Sequence, residues 1–123
     1  MPTSLHGVTV VPRNVIPDMR GEVRHILKNT DPEFSPDVLP FGEVYSSVVY
    51  AGVTKGWKLH SKMTSRIVVI SGMMRWVFYD MREDSPTKGQ FQEICIGERN
   101  HKMIVSPPGV AYAWQNLWEK EAI

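Results

Sequence analysis

Two side chains able to do chemistry stand close together in the chain, Lys58 and His60, and Tyr112 is a further candidate. Lys58 and His60 are two residues apart, a spacing that puts both on one face of an extended strand. Lys55 adds a third basic group nearby. Like charge together with burial is expected to lower the pKa of Lys58, and a neutral lysine serves as a general base or attacks a carbonyl. In the alternative reading, Lys58 runs its ammonium outward along an apolar stem or pairs with Glu43 and does no chemistry. Tyr112 supplies a phenol that can donate a proton, or a tethered hydroxyl on a packed ring. His60 stands without the roughly three protein donors that a catalytic transition metal takes, so no metal ligand set is expected and His60 reads as a hydrogen-bonded pocket histidine. Trp57, Trp76, Trp114 and Trp118 offer flat faces, of which at most one is expected at a ligand. Arg82, Glu83, Asp84 and Lys88 read as a solvated loop tip.

The elements that position these residues are strands. Helical periodicity is scarce, while short apolar runs at two-residue spacing recur between glycine and proline punctuation. The expected strands are residues 7–11, 22–27, 43–51, 66–70, 74–80, 91–96, 102–105 and 110–116, a set that suits a sandwich or barrel. Ser71 and Gly72 are expected to close a hairpin between two of them. Pro107, Pro108 and Gly109 predict another tight turn. Residues 28–42, with Asp31, Pro32, Pro36 and Pro40, read as a lid or an arm reaching a neighbour.

The chain's 123 residues suffice for one core, so residues 1–123 are expected to form a single domain. Composition is that of an ordinary globular protein, with 42% apolar and 22% charged residues. A formal net charge of +1 supplies no bulk field toward nucleic acid or anionic lipid, and neither is expected as a partner. The lone cysteine, Cys95, excludes an internal disulfide framework, fits a reducing compartment and is expected to be a buried packing residue. The N-terminus has no basic segment followed by an apolar one, and no run approaches a membrane span, so a cytoplasmic location is expected.

Several of these residues also stand in a known frame. Gly52, Lys58, His60, Ser65 and Gly72 resemble the first cupin motif, with Lys58 and Ser65 at two ligand positions. Pro107, Gly109 and Asn116 resemble the second, with Tyr112 at its histidine position. The resemblance implies an all-β, cupin-type jelly-roll (double-stranded β-helix) barrel that keeps its turns and lacks most metal ligands.

Nearly the whole chain is similar to the dTDP-4-dehydrorhamnose 3,5-epimerase family. The matching pieces are residues 18–21 (Asp-Met-Arg-Gly), 52–57 (Gly-Val-Thr-Lys-Gly-Trp), Asp80-Met81-Arg82 with Ser85-Pro86-Thr87 and Gly89, and Pro107-Pro108-Gly109. A divergent branch with Gly-Trp-His-Leu-His is especially similar to Gly56-Trp57-Lys58-Leu59-His60.

This likeness implies a nucleotide-linked keto sugar as ligand, in deoxysugar and lipopolysaccharide biosynthesis, handled without metal or other cofactor. It places the family's base histidine on Lys58, its enolate-stabilising lysine on Ser65 and a pocket histidine on Tyr112. Lys58, His60 and Tyr112 are thus the expected catalytic set. Arg20 and Lys55 match basic positions that contact the nucleotide diphosphate, and Glu43 and Trp114 complete the expected substrate-binding set. The family's acid tyrosine is expected just beyond residue 123. The edge thereby left open is expected to be covered by a second copy, giving a homodimer. The alternatives are a non-catalytic module binding a sugar nucleotide or small ligand, and a metal-dependent cupin enzyme.

Overall fold

Strands form where apolar side chains alternate, and the computed structural model, which describes residues 4–28, 30, 31 and 42–123, is built from them with no helix among the described residues. In chain order they are β1 (Thr9–Pro12), β2 (Val15–Asp18), β3 (Gly21–Arg24), β4 (Thr54–Lys58), β5 (Ser65–Val68), β6 (Met73–Asp80), β7 (Phe91–Gly97), β8 (Lys102–Ser106) and β9 (Val110–Asn116). A three-stranded sheet runs β1-β8-β5, a four-stranded sheet runs β4-β9-β6-β7, and β2-β3 make a separate hairpin. All pairings are antiparallel. No helix among the described residues is long and apolar enough to cross a membrane.

The two larger sheets share one core, to which the smaller contributes Ile104 and the larger Phe78 and Ile96. Period-two alternation along β6 buries Met74, Trp76, Phe78 and Asp80 and turns Arg75 outward. Antiparallel register then lines the inner face of the larger sheet with cross-strand rows. One row is Lys58, Tyr112, Phe78 and Gln92; the next is Lys55, Trp114, Trp76 and Ile94. Trp76 and Trp114 stack with centroids 5.0 Å apart and planes 14° from parallel. Such a pair adds about 0.5–1.5 kcal/mol beyond its buried area. Each row ends on a lysine because β4 is the sheet's edge strand.

Several expectations need correction. Ser71 and Gly72 do not close a hairpin, because β5 and β6 belong to different sheets and the chain crosses between layers there. The backbone groups freed by the crossing are bonded elsewhere: Gly72 N to the Glu98 carboxylate at 2.8 Å, and Ile70 N and Ser71 N to Ile123 O. Residues 43–51 form no strand. Only Val49 pairs, with Ala122, and Val44, Tyr45, Val48 and Tyr50 are exposed, so the apolar run has no partner to bury it. The turn at Pro107-Pro108-Gly109 forms as expected, with Gly109 at φ +85°. Cys95 is exposed, because it shares the outer face of β7 with Phe91 and Glu93. Most of the stretch read as a lid or arm, residues 29 and 32–41, lies outside the described residues.

Candidate functional site

A break in the ladder between β4 and β9 shapes the site. Gly56 pairs with Ala113 and Lys58 with Tyr112, which leaves Trp57 as an extra residue in a β-bulge. The bulge resets the alternation, so that Lys55 and Lys58, three apart, face the same way while Trp57 is exposed. Gly56 is required here. A Cβ on it would stand 2.7 Å from both Cα and Cβ of Ala113, and its φ of +124° disfavours any other residue. Beyond β4, His60 is tied to the turn between β8 and β9 by Gly109 N donating to His60 O at 2.9 Å.

These constraints bring the four residues singled out from the sequence together. The Tyr112 hydroxyl lies 3.2 Å from His60 Nε2 and 3.3 Å from Ser65 Oγ. Lys58 Nζ lies 5.9 Å from the centroid of the Trp114 ring and donates to the Tyr45 hydroxyl at 3.0 Å. Tyr112 and Trp114 are both buried. Two further polar atoms, Trp76 Nε1 and Ser106 Oγ, are buried without a hydrogen-bond partner among the described residues. Ser106 stands directly across from Ser65.

The charge state of Lys58 is the reverse of the expectation. The hydrogen bond to Tyr45 raises its pKa above the ordinary value, against the opposing effect of burial, and attraction from Tyr45, Tyr112 and Glu43 adds to the rise. Like-charge clustering does not operate, because Lys55 sends its ammonium away to Val48 O (2.8 Å) and Ser47 Oγ (3.1 Å). Lys58 is therefore an ammonium at neutral pH and no free-amine base. Glu43 is exposed and acts on it only through its charge. Arg20, at the tip of the β2-β3 hairpin, bonds to Asp18 of the same hairpin rather than to any residue of the Lys58 group.

Sequence reasoning missed Tyr45, which falls in the run misread as a strand. It also misplaced Arg82. Asp80 is fully buried, and its carboxylate takes bonds from Arg82 Nε (2.9 Å), Ser85 Oγ (2.5 Å) and Thr87 Oγ1 (2.6 Å). Arg82, followed by Ser85 and Thr87, holds that carboxyl far below its ordinary range despite burial. Arg82 also reaches His6 O and packs under Gly109, where a Cβ would meet Arg82 Cγ at 2.5 Å. The Asp80, Arg82, Ser85, Thr87 spacing was the available signal. Lys88 and Glu83 do form an exposed pair. Beside His60, a cleft of about 800 Å³ is lined by His60, Leu59, Arg82, Pro108 and Gly109 among others. Among the described residues, no three of His, Cys, Asp or Glu gather as a metal site would require.

Two antiparallel sheets sharing one core, with a histidine and two hydroxyls bonded beside a lysine of the edge strand, define the class: a cupin-type jelly roll. The family model for dTDP-4-dehydrorhamnose 3,5-epimerase matches residues 2–123, and the chain belongs to that family. A probable low-salt glycan biosynthesis epimerase of Haloferax volcanii is 32% identical over 98% of this chain and 76% of its own length. A spore coat polysaccharide biosynthesis protein of Bacillus subtilis is 37% identical over 64% of this chain, and the match spans 52% of the relative's length. Among solved structures, a dTDP sugar isomerase from Desulfovibrio desulfuricans is 34% identical and superimposes with a TM-score of 0.89, covering 98% of this chain and 76% of that one.

Proposed function

We propose that this protein binds a nucleotide-linked 4-keto deoxysugar between its two sheets and acts on it as an epimerase or keto-isomerase without a metal, using side chains that differ from the family's usual set. The observation that carries the reading is the Tyr112 hydroxyl, bridged to His60 and Ser65, directly across the ladder from Lys58, whose ammonium lies 5.9 Å from the Trp114 ring centroid.

Removing a proton next to a ketone drives an electron pair onto the carbonyl oxygen, and a fixed positive charge stabilises that oxyanion more than the ground-state carbonyl. Lys58 supplies the charge. Tyr112 and His60, in hydrogen-bond contact, are the pair through which the proton leaves and returns. An ammonium beside a single imidazole and hydroxyls is a donor set that suits an anionic ligand better than a cation. The names of the family and of the dTDP sugar isomerase support the same substrate class. Arg20 and Lys55 are proposed to serve the diphosphate, with Glu43 and Trp114 at the rim and floor of the pocket. The setting we propose is cytoplasmic deoxysugar biosynthesis for surface polysaccharide or lipopolysaccharide, by a homodimer.

A binding module without chemistry is the second reading, favoured by one observation: Lys58 Nζ is engaged as a donor to Tyr45 Oη at 3.0 Å, an arrangement unsuited to a lysine base. Incubation with dTDP-4-keto-6-deoxyglucose in deuterated water separates the two. Deuterium appearing at C3 or C5, and lost in Lys58→Ala, supports the enzyme. Saturable binding with no exchange over hours leaves the module.

A further inference from the structure

We propose that Tyr45 is a positioning residue of this site: its hydroxyl fixes the Lys58 side chain beside Trp114, where it can meet anions and oxyanions. What the ammonium acts on rests on the keto-sugar reading above; the pairing itself stands on geometry. Lys58 Nζ donates to Tyr45 Oη at 3.0 Å and lies 5.2 Å from the Tyr45 ring centroid, so the hydroxyl is the group that holds the cation. Tyr45 is 59% exposed, so burial does not account for its place. The backbone that carries it is anchored a few residues on. Lys55 bonds Ser47 and Val48, the Asn116 side chain donates to Val49 O at 2.9 Å, and Val49 and Ala122 exchange a pair of backbone bonds. Both lysines of β4 thus grip one segment, Lys55 at its main chain and Lys58 at its tyrosine.

The groups facing Lys58 define what its protonation answers to. Tyr45 and Glu43 face it from that segment and Tyr112 from β9, while Lys55 on its own strand is engaged elsewhere and His60 is bonded to Tyr112. Among the described residues, Tyr45 alone makes a direct hydrogen bond to the ammonium. Removing its oxygen leaves burial opposing the charge with less to offset it.

The test needs no ligand. Ammonium protons held by a hydrogen bond exchange slowly with water, so in nitrogen-15-labelled protein Lys58 should give a resolved ammonium signal near neutral pH, identified by its absence in Lys58→Arg. Tyr45→Phe should lose that signal and move the Lys58 titration midpoint to lower pH, whereas Tyr50→Phe, a change at another exposed tyrosine, should do neither. Retention of signal and midpoint in a folded Tyr45→Phe protein overturns the proposal. Should that variant not fold, Lys58→Met in the otherwise unchanged chain gives the reciprocal readout: Tyr45 ring resonances must shift, and unchanged ones overturn it. With active protein, the alkaline limb of kcat/KM should move to lower pH in Tyr45→Phe. Failure of the exchange assay with an intact Lys58 signal would refute the sugar chemistry and leave the Tyr45 pairing standing.

Discussion

The Tyr112 hydroxyl has two partners and one position, which makes it the most informative atom to remove. Tyr112→Phe keeps the ring against Trp76, Phe78 and Trp114 while deleting the bonds to His60 and Ser65. Thermal or urea unfolding should show a loss of about 1–2 kcal/mol, and deuterium exchange into the keto sugar should fall by about 10²-fold or more. Exchange at the wild-type rate would remove Tyr112 from the chemistry. Asp80 does a different job. Its carboxyl is depressed in the folded protein, so its stabilisation is present above the ordinary carboxylate pKa of 3.8 and is lost as pH falls from there through the folded value. Asp80→Asn should therefore unfold more easily at neutral pH, by roughly 3 kcal/mol, and the gap to the wild type should narrow below about pH 4. A constant gap from pH 7 to pH 3 would contradict this. Two-residue spacing pointed to Lys58 and His60, while Ser65 and Tyr112 were legible only through the resemblance to the cupin motifs. Neither signal could give the charge state of Lys58, which depends on a tyrosine thirteen positions away in sequence.

At the scale of elements, the β4 bulge decides which side chains the pocket receives. Gly56→Ala forces a Cβ into Ala113 at a φ that disfavours it, and should cost about 1–3 kcal/mol while weakening ligand binding, since Lys58 depends on the register just after it. A variant as stable as the wild type in denaturant titration would show that the bulge relaxes freely. β4 itself escaped sequence reading because Gly56 interrupts its alternation, and β2 because Pro17 does the same. β9, by contrast, was legible residue for residue, since both of its ends are punctuated and its inner face is unbroken. Residues 43–51 show the opposite failure: they have strand-like composition, yet a strand needs a partner, and these residues instead carry Tyr45 past the pocket.

For the molecule as a whole, the β2-β3 hairpin is the element with the least to hold it. Among the described residues its two strands pair only with each other and leave Val15, Ile16 and Val23 exposed. Apolar side chains and free strand edges in that arrangement favour a second copy of the chain. Light scattering at micromolar concentration should give twice the mass of one chain, and Ile16→Lys with Val23→Lys should lower it toward the monomer. A wild-type monomer would contradict the homodimer. The central claim is narrower, that the space between the two sheets, walled by Lys58, His60, Ser65 and Tyr112, is where a nucleotide-linked keto sugar binds. Diffraction from crystals soaked with dTDP-4-keto-6-deoxyglucose tests it most directly. The sugar ring should lie within hydrogen-bond reach of Lys58 Nζ and Tyr112 Oη; a sugar seated in the cleft beside Arg82 and away from both atoms, or a metal ion held by His60, would contradict it.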